Sequence, residues 1–198
     1  MGFTQKERVD YQEVFAPVTN LDSVWTMISM VTKHNLELNQ TDVSTVYLNG
    51  ELEAELYLQP LEGVPIQPGY CWRLHCPLYG LKQTSQAWNK TIDKKLGELG
   101  FTCLDAETCL YILWKSGEVC FLVVHVDDLL LAASSRSYIN SVKDMLSSSF
   151  KMHDLGEAKY LLRVEIWRDR KLHTISLSHS QYAQTILKHT GMTNSTSV

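Results

Sequence analysis

The sequence predicts an α+β fold in which helices pack against a small antiparallel sheet. Strand-like and helix-like segments are mixed along the chain rather than strictly alternating, which favours this class over a parallel sheet. Two apolar runs within 119–133 flank a pair of adjacent acids, as in a buried hairpin. Apolar residues recur at helical spacing in three segments, 21–34, 85–99 and 137–150, which would cover the sheet.

Length and composition are those of a globular chain. The 198 residues include 44% hydrophobic and 10% aromatic residues, enough for one sizeable core. Five cysteines without a CxxC pair are typical of reduced intracellular thiols and argue against a zinc site. No apolar run reaches the length of a membrane span. A formal net charge of -4 provides no general attraction to nucleic acid, so a nucleic-acid enzyme needs local basic residues.

The first half of the chain predicts one helix followed by short strands. Asn20 or Asp22 is expected to cap the helix over 21–34. The alternating, Thr- and Val-rich stretch 36–47 predicts a strand. The remaining elements of this half lie between turn signals: a turn at Asn49-Gly50, strands at 56–59 and 71–76, and a loop at 60–70.

The second half predicts a hairpin between two helices and a closing group of elements. A glycine-bearing turn at 77–83 leads into the helix over 85–99. Ser116-Gly117 predicts a hairpin between the apolar strands 110–114 and 119–124. The later elements are a helix from Ser134–Ser137 through Phe150, strands at 161–167 and 172–177, an amphipathic helix at 180–189, and a disordered tail at 193–198.

Three carboxylates lie in or between the predicted strands. Asp127 and Asp128 occupy the turn between two apolar strands, and Asp42 lies in the strand 36–47. Adjacent carboxylates repel each other and resist burial unless a metal ion takes up the charge. Transfer of a nucleotidyl group is commonly run by two metal ions held by carboxylates from separate strands. The alternatives are an ordinary hairpin turn for the pair and a solvated strand face for Asp42.

Ordered motifs place these acids in a family context. The strings QTDVSTVYLNGELEAELYLQPLEG, LYGLKQ, HVDDLLL and DLGEAKYLLRVEI resemble, in this order and spacing, the reverse transcriptase of copia-type LTR retrotransposons. The similarity runs from FTQKERVDYQEVFAPVT to ISLSHSQYAQTILKHTGM. The resemblance implies a right-hand polymerase palm and an RNA-directed DNA polymerase, which extends a primer 3′-hydroxyl with deoxynucleoside triphosphates on an RNA or DNA template.

The same resemblance implies a role for each matching residue. Asp42, Asp127 and Asp128 match the catalytic, metal-binding carboxylates, with Asp127 the more direct ligand, and the Val43 carbonyl matches a further metal contact. The implied cofactor is a pair of Mg2+ ions, with Mn2+ as a substitute. The residues implied on the nucleotide and template side are Tyr47, Tyr79, Gly80, Lys82, Gln83 and His125.

Three of these matches have alternatives or specific interpretations. Tyr47 matches the aromatic side chain that lies under the sugar and excludes a 2′-hydroxyl; the alternative is an ordinary strand aromatic. Gly80 would let the backbone approach the base. Lys82 would meet phosphate or template charge, and the alternative is a surface lysine at a helix start.

The sequence departs from the family pattern around the acids. His125 stands where the family has Tyr, and Val46 replaces a small Ala, which adds bulk near the incoming nucleotide. Thr84-Ser85-Gln86 replaces Ala-Pro-Arg and removes a positive charge. Arg163 stands where Gly is expected, at a place where the backbone turns tightly. The residues 154–156 match a turn with a structural role.

The resemblance divides the chain into a palm-like domain over 1–178 and the start of a connection region with a polar tail over 179–198. It implies a basic fingers segment upstream and a ribonuclease H domain downstream, both outside the chain. It also implies an intracellular location, in a cytoplasmic retrotransposon particle or the nucleus, without a membrane partner. Template preference and oligomeric state stay open.

Two competing functions remain at this point. The first is a degenerate or host-retained remnant that binds nucleic acid or protein without catalysis, suggested by the departures around the acids. The second is another palm enzyme, such as a nucleotide cyclase. A cyclase accounts for acids on two strands but not for the LYGLKQ and FAPV strings.

Overall fold

Antiparallel strands and four helices make up the described part of the chain. The structure is a computed structural model, and it describes residues 2–60, 62–65 and 67–193. The helices are α1 (Leu21–His34), α2 (Thr84–Glu98), α3 (Arg136–Ser147) and α4 (Ser180–His189). The strands are β1 (Glu37–Val43), β2 (Tyr57–Leu58), β3 (Trp72–Arg73), β4 (Thr102–Leu104), β5 (Glu107–Lys115), β6 (Glu118–His125), β7 (Asp128–Ala133), β8 (Met152–Glu157), β9 (Tyr160–Leu161), β10 (Val164–Asp169) and β11 (Thr174–Ser178).

A six-stranded sheet with the order β4-β5-β6-β7-β1-β8 forms the centre of the fold. Each neighbouring pair in this sheet is antiparallel. A three-stranded sheet, β11-β10-β9, and the short β2-β3 pair complete the strands. The expected α+β class with an antiparallel sheet is therefore confirmed.

The central sheet is covered on both faces. Successive side chains of a strand point to opposite sides, so the apolar strands of this sheet bury side chains on each face. One face packs against α2 and α3, and its buried side chains include Trp88, Ile92, Leu122, Leu129, Leu131 and Leu146. The other face packs against α1 and the three-stranded sheet, and its buried side chains include Val24, Ile28, Leu38, Val123, Leu130 and Ile166. The apolar run at 119–133 thus supplies residues to both cores.

Helix α1 has the bounds that the sequence predicts. The Asn20 side chain accepts a hydrogen bond from the Asp22 backbone N–H, which satisfies one of the free donors of the first turn. Asn35 ends the helix in the left-handed region at φ 51°, a conformation that Asn tolerates better than most residues. Helix α2 also agrees with its prediction to within one residue at each end.

The strand expected over 36–47 ends at Val43, and this part of the prediction was wrong. Thr45 adopts a positive φ of 49°, and residues Val46–Asn49 form a 3-10 turn. The Asn49 side-chain amide lies 3.3 Å from the carbonyl oxygens of Ser44, Thr45 and Val46, and these contacts close the turn. Tyr47 is therefore a turn residue rather than a strand aromatic.

Two later segments also differ from expectation. Residues 154–156, predicted as a turn, lie in β8 and pair with β1 across a bulge between Gln40 and Thr41. The strand expected over 161–167 is divided between β9 and β10. The division occurs at Leu162 and Arg163, with φ values of 50° and 68°, so the tight backbone expected at Arg163 is present.

The last two helices of the chain are both present, and one of them is shorter than predicted. Helix α3 is shorter than expected: it starts after Ser135, whose side chain caps the Tyr138 N–H, and it ends at Ser147. Helix α4 occupies the expected residues. Residues 194–198 of the predicted tail lie outside the described part of the chain. Within that part, no helix combines the length and apolar character needed to cross a membrane.

Candidate active site

The β6–β7 hairpin and the end of β1 bring the three predicted carboxylates together. His125 pairs with Asp128 across the hairpin, so Val126 and Asp127 form its two-residue turn. The prediction that Asp127 and Asp128 occupy the turn was wrong by one residue, because Asp128 already pairs as the first residue of β7. Asp42 pairs with Asp128 across β1 and β7. The Val43 N–H donates to the Asp127 carbonyl oxygen at 2.9 Å. Acids that are 85 residues apart in the chain are thus neighbours at one end of the central sheet.

The acids influence one another electrostatically. Partial burial raises the pKa of the Asp42 carboxyl, and the charges of Asp127 and Asp128 raise this pKa further. The nearby His153, which pairs with Asp42 from β8, acts in the opposite direction. Like charges disfavour the ionised form, and a bound cation reverses this effect.

The donor chemistry of the site suits Mg2+, but the carboxylates do not converge on one point. Carboxylate and backbone carbonyl oxygens are the hard ligands that Mg2+ prefers. Within the described residues, however, no three His, Cys, Asp or Glu side chains are grouped closely enough to hold a metal ion. One Asp128 oxygen instead accepts a hydrogen bond from the Gln40 side chain at 2.8 Å. Asp127 is exposed.

The turn that carries Asp127 has a strained backbone, and a tryptophan side chain stabilises it. Val126 has a φ of 57°, which is an outlier for a β-branched residue. The indole N–H of Trp88 donates to the Val126 carbonyl oxygen at 2.8 Å. The Trp88 ring packs edge-on against Phe150, with centroids 5.2 Å apart. The sequence predicts a helix with an apolar face over 85–99, which contains Trp88, but gives no sign of this contact.

Tyr47 and Tyr79 contact each other through their rings. Their ring centroids lie 4.8 Å apart at an interplanar angle of 64°, an edge-to-face contact. The Ser85 hydroxyl lies 3.5 Å from the Tyr47 hydroxyl. A cavity of about 250 Å³ joins Tyr47 and Ser85 to the hairpin, and its lining includes Tyr47, Ser85, Trp88, Val124 and Val126.

The N-terminal segment contacts the predicted nucleotide and template residues. The Gln5 side chain donates to the Gln83 amide oxygen at 3.0 Å and accepts from the Lys82 backbone N–H at 2.8 Å. The Gln83 amide nitrogen donates to the Asp10 carbonyl oxygen at 3.3 Å. Gly80 has a φ of 92°, which glycine adopts without steric cost, and the Lys82 side chain is exposed. Both polar atoms of the Gln83 side chain are therefore engaged within the chain.

A family comparison decides between the possible contexts of this site. The family model described as "Reverse transcriptase (RNA-dependent DNA polymerase)" matches residues 1–198. The chain belongs to this reverse transcriptase family. The resemblance drawn from the ordered motifs is thereby confirmed, and a nucleotide cyclase no longer accounts for the sequence.

The relatives of this reverse transcriptase domain include transposon polyproteins. The chain is 32% identical over 196 residues to the "Retrovirus-related Pol polyprotein from transposon TNT 1-94" of Nicotiana tabacum. The matched region covers 98% of the chain and 15% of the polyprotein. The chain is 29% identical over 194 residues to the "Retrovirus-related Pol polyprotein from transposon RE1" of Arabidopsis thaliana, covering 96% of the chain and 13% of the polyprotein. The chain thus spans a small part of the length of these relatives.

Two departures from the reverse transcriptase pattern have a defined environment. Val46 is 2% exposed and packs in the core beneath α2. Its effect on the incoming nucleotide stays a prediction. His125 is half-buried, and its Nδ1 atom has no hydrogen-bond partner in the described residues.

The replaced Ala-Pro-Arg segment lies at the start of α2. Thr84 is 2% exposed, and its hydroxyl donates to the Leu78 carbonyl oxygen at 2.8 Å. Ser85 is exposed beside Tyr47, and Gln86 is half-buried. The hydroxyl of Thr84 therefore stabilises the turn that leads from Tyr79 to Gln83 into the helix.

Proposed function

We propose that this chain forms the palm of an RNA-directed DNA polymerase in a copia-type retrotransposon polyprotein. The observation that carries the proposal is the strand register that sets Asp42 opposite Asp128 and beside Asp127, in a chain of the reverse transcriptase family. The substrates are a template-primer, with RNA or DNA as template, and deoxynucleoside triphosphates. The reaction joins the primer 3′-hydroxyl to the α-phosphate and releases diphosphate.

In this proposal the acids hold two Mg2+ ions, for which Mn2+ can substitute. Asp42, Asp127, Asp128 and the Val43 carbonyl would be the metal ligands, with Asp127 a more direct ligand than Asp128. When bound, the ions would supply electrostatic stabilisation to the attacking hydroxyl and the leaving diphosphate. Burial and the charges of Asp127 and Asp128 raise the pKa of Asp42, and this supports the assignment because a cation would offset the repulsion between the acids.

The remaining predicted residues bind the nucleotide and template. Tyr47, supported by Tyr79, lies under the sugar and excludes a 2′-hydroxyl, and His125 lies beside the primer terminus. Gly80, Lys82 and Gln83 face the base, phosphate or template. Because Gln5 and Asp10 engage Gln83 within the chain, template binding through Gln83 requires these two hydrogen bonds to be released.

The proposed organisation extends to the whole chain. Residues 1–178 form the palm-like domain, and residues 179–198 begin a connection region and polar tail. The relatives are far longer than the chain, which supports a place for it inside a larger polyprotein. The proposed site of action is a cytoplasmic retrotransposon particle or the nucleus.

Primer extension tests the proposal directly. The chain, carried in its polyprotein context, is expected to extend a DNA primer on an RNA template in the presence of Mg2+. Asp127→Asn should abolish extension, whereas Asp105→Asn should leave it unchanged, because Asp105 is an exposed acid in the β4–β5 turn of the same sheet. Undiminished extension by Asp127→Asn would refute the proposed mechanism.

A nucleic-acid-binding or protein-binding module without catalysis is the second candidate function. The lack of three convergent metal-binding side chains in the described residues favours it, as do the internal hydrogen bonds of Gln83. Template-primer binding that does not respond to Mg2+, with no extension at any Mg2+ or Mn2+ concentration, would support this candidate. Extension that depends on Asp42 and Asp127 would exclude it.

A further inference from the structure

We propose that Gln40 and Trp88 are positioning residues that hold the turn formed by residues 126–128, here called the acidic turn, from opposite faces of the sheet. Their two hydrogen bonds fix the atoms on either side of Asp127 and leave its carboxylate free. The inference rests on the proposed function only where it concerns metal binding. The hydrogen bonds themselves can be tested separately.

Gln40 restrains the turn from the face that packs against α1. It lies two residues before Asp42 in β1, is 8% exposed, and pairs in register with Leu130 of β7. Its side-chain N–H donates to an Asp128 carboxylate oxygen at 2.8 Å. A hydrogen bond to an ionised acceptor is stronger than one between neutral groups. Because the amide is uncharged, it orients Asp128 without cancelling the negative charge that a cation needs.

Trp88 restrains the turn from the face that packs against α2. Its side chain is 3% exposed, and its indole N–H donates to the Val126 carbonyl oxygen at 2.8 Å. A β-branched residue at positive φ persists only where its surroundings determine the conformation. Phe150 packs against the Trp88 ring and limits its movement. The indole is therefore placed to maintain the strained conformation of Val126.

Together the two contacts define the geometry of Asp127. Trp88 fixes the carbonyl that precedes Asp127, and Gln40 fixes the carboxylate that follows it. The Asp127 carbonyl itself accepts from the Val43 N–H, which ties the turn to β1. The Val126 carbonyl, the Asp127 carbonyl and the Asp128 side chain are thus held, whereas the Asp127 carboxylate remains exposed to solvent.

Donor-deleting variants test the inference. Gln40→Met and Trp88→Phe retain unbranched or aromatic bulk but remove the N–H donor. Tyr111→Phe is the control, because it deletes another hydrogen bond to α2, from the hydroxyl of the buried Tyr111 in β5 to the exposed Asp93 at 3.0 Å, away from the turn. The first readout is hydrogen exchange of the Val43 amide, which donates to the turn. The second is the Mg2+ concentration that gives half of the maximal thermal stabilisation.

Both variants are expected to speed exchange of the Val43 amide by about tenfold, the factor that corresponds to one lost hydrogen bond of ordinary strength. They should also raise the half-saturating Mg2+ concentration by about three- to tenfold. Tyr111→Phe should change neither value. If Trp88→Phe does not fold, Gln40→Met decides the outcome alone, since it removes no aromatic packing.

The possible failures are distinguishable. Unchanged Val43 exchange in Gln40→Met would overturn the inference whatever the metal result. Faster exchange of the Val43 amide with an unchanged half-saturating Mg2+ concentration would overturn the claim that Gln40 and Trp88 position the metal ligands. An absence of Mg2+ stabilisation in the wild-type chain would contradict the proposed function, while the exchange rates would still decide whether the two residues hold the turn.

Discussion

Asp42→Asn removes one of three like charges at the acidic turn and is expected to stabilise the metal-free protein. Burial and the charges of Asp127 and Asp128 raise the pKa of Asp42, so its ionised form carries a free-energy cost in the folded state. Two unit charges about 5 Å apart, the spacing of directly paired strand residues, repel by about 0.8 kcal/mol in a water-like dielectric. With two acidic neighbours and an opposing contribution from His153, we expect a gain of about 1 kcal/mol.

Thermal unfolding with and without Mg2+ measures this effect. For a domain of this size, 1 kcal/mol corresponds to a rise in Tm of about 2–4 °C. Mg2+ at about one hundred times its Kd should stabilise the wild-type chain by about 2.7 kcal/mol, whereas Asp42→Asn should lose this response. The two proteins are therefore expected to exchange their order of stability when Mg2+ is added. Asp105→Asn controls for the loss of an exposed turn carboxylate.

The difference in stability between the wild type and Asp42→Asn changes with pH in a defined direction. Because the folded-state pKa of Asp42 is raised, the folded protein holds this proton to higher pH than the unfolded chain does. The metal-free wild type should therefore lose stability relative to Asp42→Asn as pH rises from about 3.9, the ordinary aspartate value, through the raised value. A lower Tm for Asp42→Asn in EDTA at pH 7 would refute the electrostatic reasoning.

Three further predictions follow from other contacts. Asp154→Asn should reduce the free energy of unfolding in urea by about 2 kcal/mol, because the Lys143 ammonium, whose side chain is only 9% exposed, would lose the opposite charge that lies 2.7 Å away, while Asp154 is 57% exposed. Lys143→Met should cost less, and the reverse order would contradict the argument. Gly50→Ala should reduce the free energy of unfolding by about 1–3 kcal/mol in the same assay, because the added Cβ would lie 3.1 Å from Pro77 Cγ and 3.2 Å from the Trp88 backbone nitrogen. An unchanged stability would show that α2 moves to make room for the Cβ. Tyr47→Ala should lower the preference for deoxyribonucleotides over ribonucleotides in primer extension by about tenfold, and an unchanged preference would remove Tyr47 from sugar selection.

Local patterns in the sequence were sufficient for much of the fold. Helical spacing and an Asn cap determined α1, and two apolar runs around a dipeptide turn determined the β6–β7 hairpin. These signals are local, because one turn of helix or one hairpin is specified by residues within a few positions of one another. The motif order was also sufficient to identify the family, since it is a property of the sequence itself.

The tertiary structure decided how the acidic turn is held. The bond from Gln40 to Asp128 joins residues 88 positions apart, and the bond from Trp88 to Val126 joins residues 38 positions apart. Strand register and the docking of α2 create these contacts, and neither leaves a periodic signal in the sequence. Three acids in order along a chain therefore predict a candidate site, whereas the orientation of Asp127 depends on polar donors that approach from two packed faces of the sheet.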